Sequence, residues 1–440
     1  MPIMSTSTTA SSRQETRWSV TERLRDTLTG YVFIAPSVLI ISIFGLFPIG
    51  YALYMSVHAW KVKPQYTMCL PDLEQVFRAL PLNKRDTMRQ LWQLDFTSEV
   101  LPKFHLSSCF DNYTKTLGDW GGVALFVIGI VLLVGAYVLW TGGTREVDGV
   151  KPKARWFDEP MTKIGISLVL WVGALALIVT GWERMFNAGN ERFLNGLVYT
   201  IYYAIFSVPI QLALGLVLAY VLFQKIQGKT LFRMIFFIPY ITPAVAGATV
   251  FKLIFSPRPS SLANQMIALA GLQSQQWLGE SKPFLNALFG LNLSGFFAGP
   301  SLALFSIILF GVWTYVGYNT IIYLAGLGQI PTDLYEAARV DGASEWHLFR
   351  YITLPMISPI TFYLSILGFI GTFKTFNHVY VMRGPEARGT ADTISVVVFD
   401  TFRLMQQYGE AAAQAIILLL VIVAVTQFQR TFLEKQVFYG

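Results

Sequence analysis

Eight long apolar runs dominate the chain, near residues 31–57, 121–140, 164–182, 194–223, 231–255, 301–327, 356–382 and 411–428. Each comes close to or exceeds the roughly 20 residues that an α-helix needs to cross about 30 Å of hydrocarbon. Inside a bilayer the backbone must satisfy its own hydrogen bonds, so runs of this length read as helices. The expected fold is therefore all-α and polytopic, with the lipid bilayer as its solvent. Composition agrees: 54% of the 440 residues are hydrophobic and 13% charged, too apolar for an ordinary soluble domain. No signal peptide is expected, because a polar stretch precedes the first run, which is itself too long and lacks a small-residue cleavage pattern.

Charge in the short loops sets the orientation. Arg13, Arg17, Arg23 and Arg25 precede the first run; Arg145, Lys151, Lys153, Arg155 and Lys163 fill the turn 141–163; Lys225, Lys229 and Arg233 follow the fourth run. Basic residues concentrate on the cytoplasmic side, so these ends are expected inside, and an even number of spans returns the C-terminus, with Arg430 and Lys435, to the same side. The net charge of +7 is largely this excess and needs no nucleic acid to explain it. The two cysteines, Cys69 and Cys109, fall in the segment 58–120, expected outside, where the compartment permits a disulfide and equally two separate thiols.

Between the sixth and seventh runs lies a polar island, residues 331–355, too long for a simple connector and carrying helix signals of its own. Asp333 with Glu336 reads as a capping box opening a helix over 333–341, and Gly342 as its left-handed stop. Ser344 caps a second helix that Pro355 limits. Glu336, Ala337, Ala338, Gly342, Ile352, Leu354 and Pro355 fit the pattern E-A-A-x3-G-x9-I-x-L-P at every position. The chain here resembles the coupling loop of permease subunits of bacterial ABC importers, which implies that this loop, including Asp341, contacts a cytoplasmic ATPase.

The resemblance extends over much of the remaining sequence. Residues 31–57, with Pro36 and Pro48, are similar to the first core helix of carbohydrate-type permeases, the maltose and sn-glycerol-3-phosphate group, and Phe110-Asp111-Asn112-Tyr113 to the segment that closes their first external stretch. From residue 194 to the end the landmarks follow in order. The chain departs from the pattern in an apolar pair of runs, 121–182, inserted before the core resumes. The expected organisation is a tail (1–30), a first core helix (31–57), an external segment (58–120), the inserted hairpin (121–182) and the remaining core (194–435): six core helices plus two. Membership implies an inner-membrane location, a homologous second permease, a homodimeric ATPase that holds ATP and Mg, an extracytoplasmic solute-binding protein, and no cofactor on this chain.

No catalytic constellation is present. Gly228-Lys229-Thr230 lacks the earlier glycine of a phosphate loop, with Phe223 in its place, and the four histidines show no paired ligand spacing, so no metal site is expected. No carboxylate lies deep in an apolar run, which disfavours an ion-coupled carrier, the rival reading. The solute path is expected near the bilayer midplane. In run six, Trp313, Tyr315, Tyr318 and Asn319 sit near the middle, the last three on one helical face, and rings with an amide suit either sugar recognition or helix packing. The resemblance to maltose-type permeases adds Thr372, Lys374 and Thr375 in run seven, with Phe376 and Asn377 beside them. Lys374 reads either as a snorkelling side chain or as a phosphate ligand, which keeps glycerol phosphate as the alternative solute.

Overall fold

Helix ends and helix breaks, more than the spans themselves, decide what this chain brings together. The computed structural model describes residues 20–60, 64–67, 109–141, 160–224, 227–295, 298–387, 389–434 and 437–438. Arg13, Arg17, most of the basic turn 141–163, Cys69 and most of the external segment lie outside them. The chain forms two units, one up to Tyr54 and the other Met55–Gly440. Among the described residues six helices are long and apolar enough to span a membrane, and two bent pairs raise the number to eight. Each of the eight apolar runs has its counterpart, so the fold is a nearly all-helical, multi-span membrane protein, with one short antiparallel ribbon among the described residues, β1 (His58–Trp60) with β2 (Pro64–Thr67).

The described part of the first unit, from Val20, belongs to one span. Helix α1 (Val20–Ile41) passes through a π-turn at Ser42–Leu46 into α2 (Phe47–Ser56). Pro48 offers no N–H, and the widened turn, closed by Phe47 N–H donating to the Ser42 carbonyl, lets the helix continue past it.

In the second unit, α3 (Asp111–Leu117) gives the Phe110–Tyr113 motif its physical role. The Asn112 amide donates to the carbonyls of Ser56 (2.7 Å) and His58 (3.1 Å), and the Tyr113 hydroxyl meets the Ser56 hydroxyl at 2.8 Å. These bonds satisfy carbonyls at the end of a span, where water is replaced by protein. The inserted hairpin follows as α4 (Trp120–Thr141) and α5 (Pro160–Ala188). Its base joins Met185, Trp182 and Phe186 to a buried cluster with Phe193, Leu194, Ile394, Val397 and Ile417, while its flanks expose an apolar surface that includes Val131, Leu168, Val169 and Val179. Gly118 and Gly189, the residues bracketing it, touch backbone to backbone, and Asn190 N–H donates to the Thr116 carbonyl.

The core continues with α6 (Glu191–Phe223), whose first turn is capped by the Asn190 side chain accepting from Phe193 N–H. The fifth run is not one straight helix: α7 (Lys229–Ile241) and α8 (Ala244–Ile254) meet at 95°, because Thr242 is extended and Pro243 cannot continue the ladder. Outside the spans, α9 (Leu262–Leu269) and α10 (Phe284–Phe289) lead to α11 (Leu302–Leu327), capped by Ser301. The central helix α11 packs on α6, α7 and α14 (Ser358–Phe373) and is the most buried span.

The polar island forms α12 (Thr332–Val340) and α13 (Glu345–Leu348). The expected capping box is absent: Pro331 occupies the cap position, no side chain closes it, and Asp333 and Glu336 lie inside the helix instead. Its C-terminus is a Schellman motif, with Ala343 N–H on the Ala338 carbonyl, Gly342 N–H on the Arg339 carbonyl, and Gly342 at φ +82°. Ser344 caps α13 as expected. Pro355 does not end that helix. A π-turn over Phe349–Thr353 carries the chain through Leu354–Met356, and the 60° bend falls at Ile357. The seventh run breaks again at Lys374–Phe376 before α15 (Asn377–Met382), which the single span expected over 356–382 did not anticipate. Helices α16 (Ile394–Arg403) and α17 (Tyr408–Leu433) complete the chain.

Candidate functional site

A cavity of about 190 Å³ lies where four helices converge. Helix α6 contributes Tyr203, Ser207 and Gln211, spaced i, i+4, i+8 so that one face presents all three. Helix α7 contributes Tyr240, one residue short of its end; α11 contributes Tyr315, Tyr318 and Asn319; α14 contributes Leu364, Leu367, Gly368, Gly371 and Thr372, and the break after it contributes Thr375.

The wall is aromatic and uncharged. Tyr240 stacks on Tyr318 with centroids 4.7 Å apart and meets Tyr315 edge-on at 5.9 Å. The Thr372 and Thr375 hydroxyls donate to the carbonyls of Phe369 and Gly371, leaving their lone pairs to accept. The Tyr203 hydroxyl lies 2.9 Å from His378 Nε2 and against Gly311, where any side chain would collide with it. Gln211 is 3% exposed, yet its Oε1 has no hydrogen-bond partner. Such a lone buried acceptor costs on the order of 1–3 kcal/mol unless something arrives to satisfy it.

The break that delivers Thr375 is held from a distance. Thr393 Oγ1 donates to the Thr375 carbonyl (3.1 Å) and Ser395 Oγ to the Phe373 carbonyl (2.9 Å), satisfying backbone groups that the interrupted helix frees. Nearby, Arg383 donates to Asp400 at 2.9 and 3.0 Å and to Asp392 at 3.2 Å, while Arg192 from α6 reaches the same carboxylates at 3.1 and 3.5 Å. Burial opposes charge on Arg383, but the hydrogen bonds and charges of Asp400 and Asp392 outweigh it and raise its pKa above the usual guanidinium range. Two guanidiniums against two carboxylates leave this buried cluster neutral.

Of the residues expected on the solute path, Tyr315, Tyr318, Asn319, Thr372 and Thr375 converge on the cavity. Four do not line it. Trp313 packs on Phe251 (5.0 Å) and Phe310 (5.9 Å); Lys374 is exposed at the end of α14; Phe376 stacks with Tyr380 (5.1 Å) and meets Phe399 (4.7 Å); Asn377 opens α15, exposed. Sequence reasoning missed Tyr203, Ser207, Gln211 and Tyr240. The three on α6 carried a readable signal, a polar row at four-residue spacing inside an apolar run. Cys109 is buried and disulfide-bonded; Cys69, the other cysteine of the sequence, lies outside the described residues. Among the described residues no group of three or more His, Cys, Asp or Glu is placed to hold a metal.

A second concavity, about 540 Å³, runs beside the polar island between Tyr220, Phe223 and Gln224 of the α6 end and Thr332, Tyr335, Glu336, Arg339 and Glu345. Glu336, Ala337, Asp341 and Gly342 are exposed, and Ala338 half-buried. Ile352 packs into the buried cluster around Leu327 and Ile357, Leu354 is partly exposed, and Pro355 half-buried. Tyr335 and Thr353 hydroxyls meet at 3.0 Å, tying α12 to the turn that enters α14. The island is thus anchored at its base and bare on top, with Val340, Trp346 and Tyr351 at 88%, 67% and 69% exposure.

Comparison with known proteins places this geometry. Over 227 residues the chain is 30% identical to the trehalose/maltose transport system permease protein of Thermococcus litoralis, covering 52% of this chain and 70% of that one. It is 30% identical over 276 residues to the lactose transport system permease protein of Rhizobium radiobacter (61% and 86%) and 28% identical over 257 residues to the sn-glycerol-3-phosphate permease of Agrobacterium fabrum (57% and 79%). A solved bacterial ABC transporter involved in alginate import superposes at a TM-score of 0.47 with 23% identity, covering 56% of this chain and 80% of that one. The model of binding-protein-dependent transport system inner membrane components matches residues 184–439, which hold both the cavity and the polar island. More than half of the chain falls inside that match, and the chain belongs to this family of inner-membrane transport components.

Proposed function

We propose that this chain is the permease subunit of an ATP-driven sugar importer, forming half of the path for a neutral mono- or oligosaccharide and coupling it to a cytoplasmic ATPase. The observation that carries the reading is the cavity wall: phenols, hydroxyls and amides on four helices, stacked rings, and no charged side chain. Rings offer faces to the apolar side of a pyranose while the polar atoms exchange hydrogen bonds with its hydroxyls. Trehalose, maltose and lactose, named for the relatives, are neutral sugars of this kind. A glycerol phosphate reading finds a relative but no cation in the wall, since Lys374 stands outside it.

Membership of the family supports the following set of partners. A second homologous permease completes the path, a solute-binding protein delivers the sugar from outside, and a pair of ATPase subunits holding ATP and Mg receives the exposed top of the island, Glu336 to Gly342. Both termini then lie in the cytoplasm. Closure of the ATPase pair pushes α12 and α13 as one body, and the bend at Ile357 passes that motion into α14 and the cavity wall. The test is uptake by the complex reconstituted with its partners in liposomes, using labelled maltose, trehalose and lactose against sn-glycerol 3-phosphate. ATP-dependent entry of a neutral sugar is the expected result; entry of the phosphate alone would overturn the reading.

A further inference from the structure

We propose that Gln211 is a direct solute ligand, its Oε1 accepting a hydrogen bond from a sugar hydroxyl and so setting specificity for a donor at that point. The inference rests on the sugar-importer reading. Gln211 lies mid-way along α6, one turn beyond Ser207 and two beyond Tyr203, all three facing the cavity. Its side chain is buried, and its carbonyl oxygen meets no donor from the protein. Gly368 of α14, also in the wall, packs close beside it: an added Cβ there would meet Val208 at 3.0 Å and the Gln211 amide nitrogen at 3.5 Å. A helix core that needed only packing here would be served by leucine, which has no oxygen to leave unsatisfied. Elsewhere in the wall the Tyr203 hydroxyl is paired with His378, and the Thr372 and Thr375 hydroxyls donate to the carbonyls of Phe369 and Gly371. Among the described lining residues, Gln211 Oε1 is the fully buried polar atom that has no partner.

This makes a prediction that a structural glutamine does not share. Gln211→Met keeps length and approximate volume but removes the acceptor, so the empty protein sheds an unsatisfied group and the sugar loses a partner. Thermal stability of the assembled complex should hold or rise, while the half-saturation concentration for uptake rises about tenfold, the scale of one hydrogen bond of about 1.4 kcal/mol. The probes are labelled maltose and trehalose, with the complex in liposomes. A half-saturation within twofold of wild type in Gln211→Met, or loss of complex assembly in that variant, would overturn the assignment. Wild-type uptake separates the two levels: if it proceeds while the variant behaves as wild type, Gln211 alone is wrong, and if neither sugar enters, the reading beneath it falls too.

Discussion

Replacing Arg383 by methionine tests the buried ion cluster most directly. The guanidinium side chain is 6% exposed and makes three bonds of 2.9–3.2 Å to carboxylates that are themselves 2% and 4% exposed. Methionine fills similar volume but leaves two buried carboxylates facing only Arg192, whose side chain is 41% exposed. Breaking a buried pair from one side costs about 3–5 kcal/mol. Arg192 still offsets one charge, although through a more solvated contact, so the lower end, about 3 kcal/mol, is expected. The free energy of unfolding is read from a denaturing-detergent titration of the purified complex. Adding Asp400→Asn to Arg383→Met returns the cluster to neutrality, and the double variant should recover more than half of the loss. A single variant costing less than about 1 kcal/mol, or a double variant less stable than the single, would refute the account of a mutually neutralising cluster.

Gly342→Val forces a β-branched residue into φ +82° and should cost on the order of 1–2 kcal/mol locally, lowering ATPase co-purification and uptake; full retention of both would show that the Schellman turn does not position the island. Tyr318→Ala and Thr375→Ala should raise the half-saturation for uptake about tenfold, an effect of about 1–3 kcal/mol, whereas Trp313→Ala, outside the wall, should lower thermal stability first; the reverse pattern would move the path elsewhere. In a cycle of Tyr203→Phe and His378→Leu the stability effects should be non-additive by at least about 0.5 kcal/mol, since each removes one side of a buried bond; additive losses would mean the pair does not interact. Joining Gly118 to Gly189 through a short polar linker removes the hairpin at the point where its ends already touch, and uptake should persist with reduced stability as the cluster around Phe193 loses its cover; an assembled complex without uptake would give the hairpin a role in the path.

Spans were legible in the sequence because the requirement behind them is local: about 20 apolar residues in a row. The turn at Gly342 and the cap at Ser344 were legible for the same reason, each being decided by one residue's backbone freedom or side-chain oxygen. The capping box at Asp333 failed because Pro331 takes the cap and the helix starts at Thr332, two positions earlier than the Leu334 that a cap at Asp333 assumes. The break at Lys374–Phe376 has neither proline nor glycine to announce it. It is held by Thr393 and Ser395, 18 and 22 residues further on, and no window along the chain contains both ends. Five of the thirteen residues lining the cavity, Tyr315, Tyr318, Asn319, Thr372 and Thr375, were found in runs six and seven, guided partly by the family resemblance. Convergence of α6 and α7 on the same space is tertiary information, although the Tyr203–Ser207–Gln211 row was visible as a pattern. Trp313 misled because aromatic type was weighed above face: it does not share the face of Tyr315, Tyr318 and Asn319.

The breaks also divide the cavity wall into two mechanical classes. Tyr203, Ser207, Gln211, Tyr315, Tyr318 and Asn319 ride on α6 and α11, each an uninterrupted helix of 33 and 26 residues. Tyr240 and Thr375 sit beside interruptions, at Thr242–Pro243 and at Lys374–Phe376. A few residues at the end of a helix can absorb a large change in backbone dihedrals while the bodies on either side stay intact. On the proposed importer reading, the first group would serve as a stator and the second as moving jaws. A solute would keep its register on the fixed wall through the cycle and gain or lose grip through the Tyr240–Tyr318 stack and the Thr375 hydroxyl, so that affinity changes between states without the whole site having to be rebuilt.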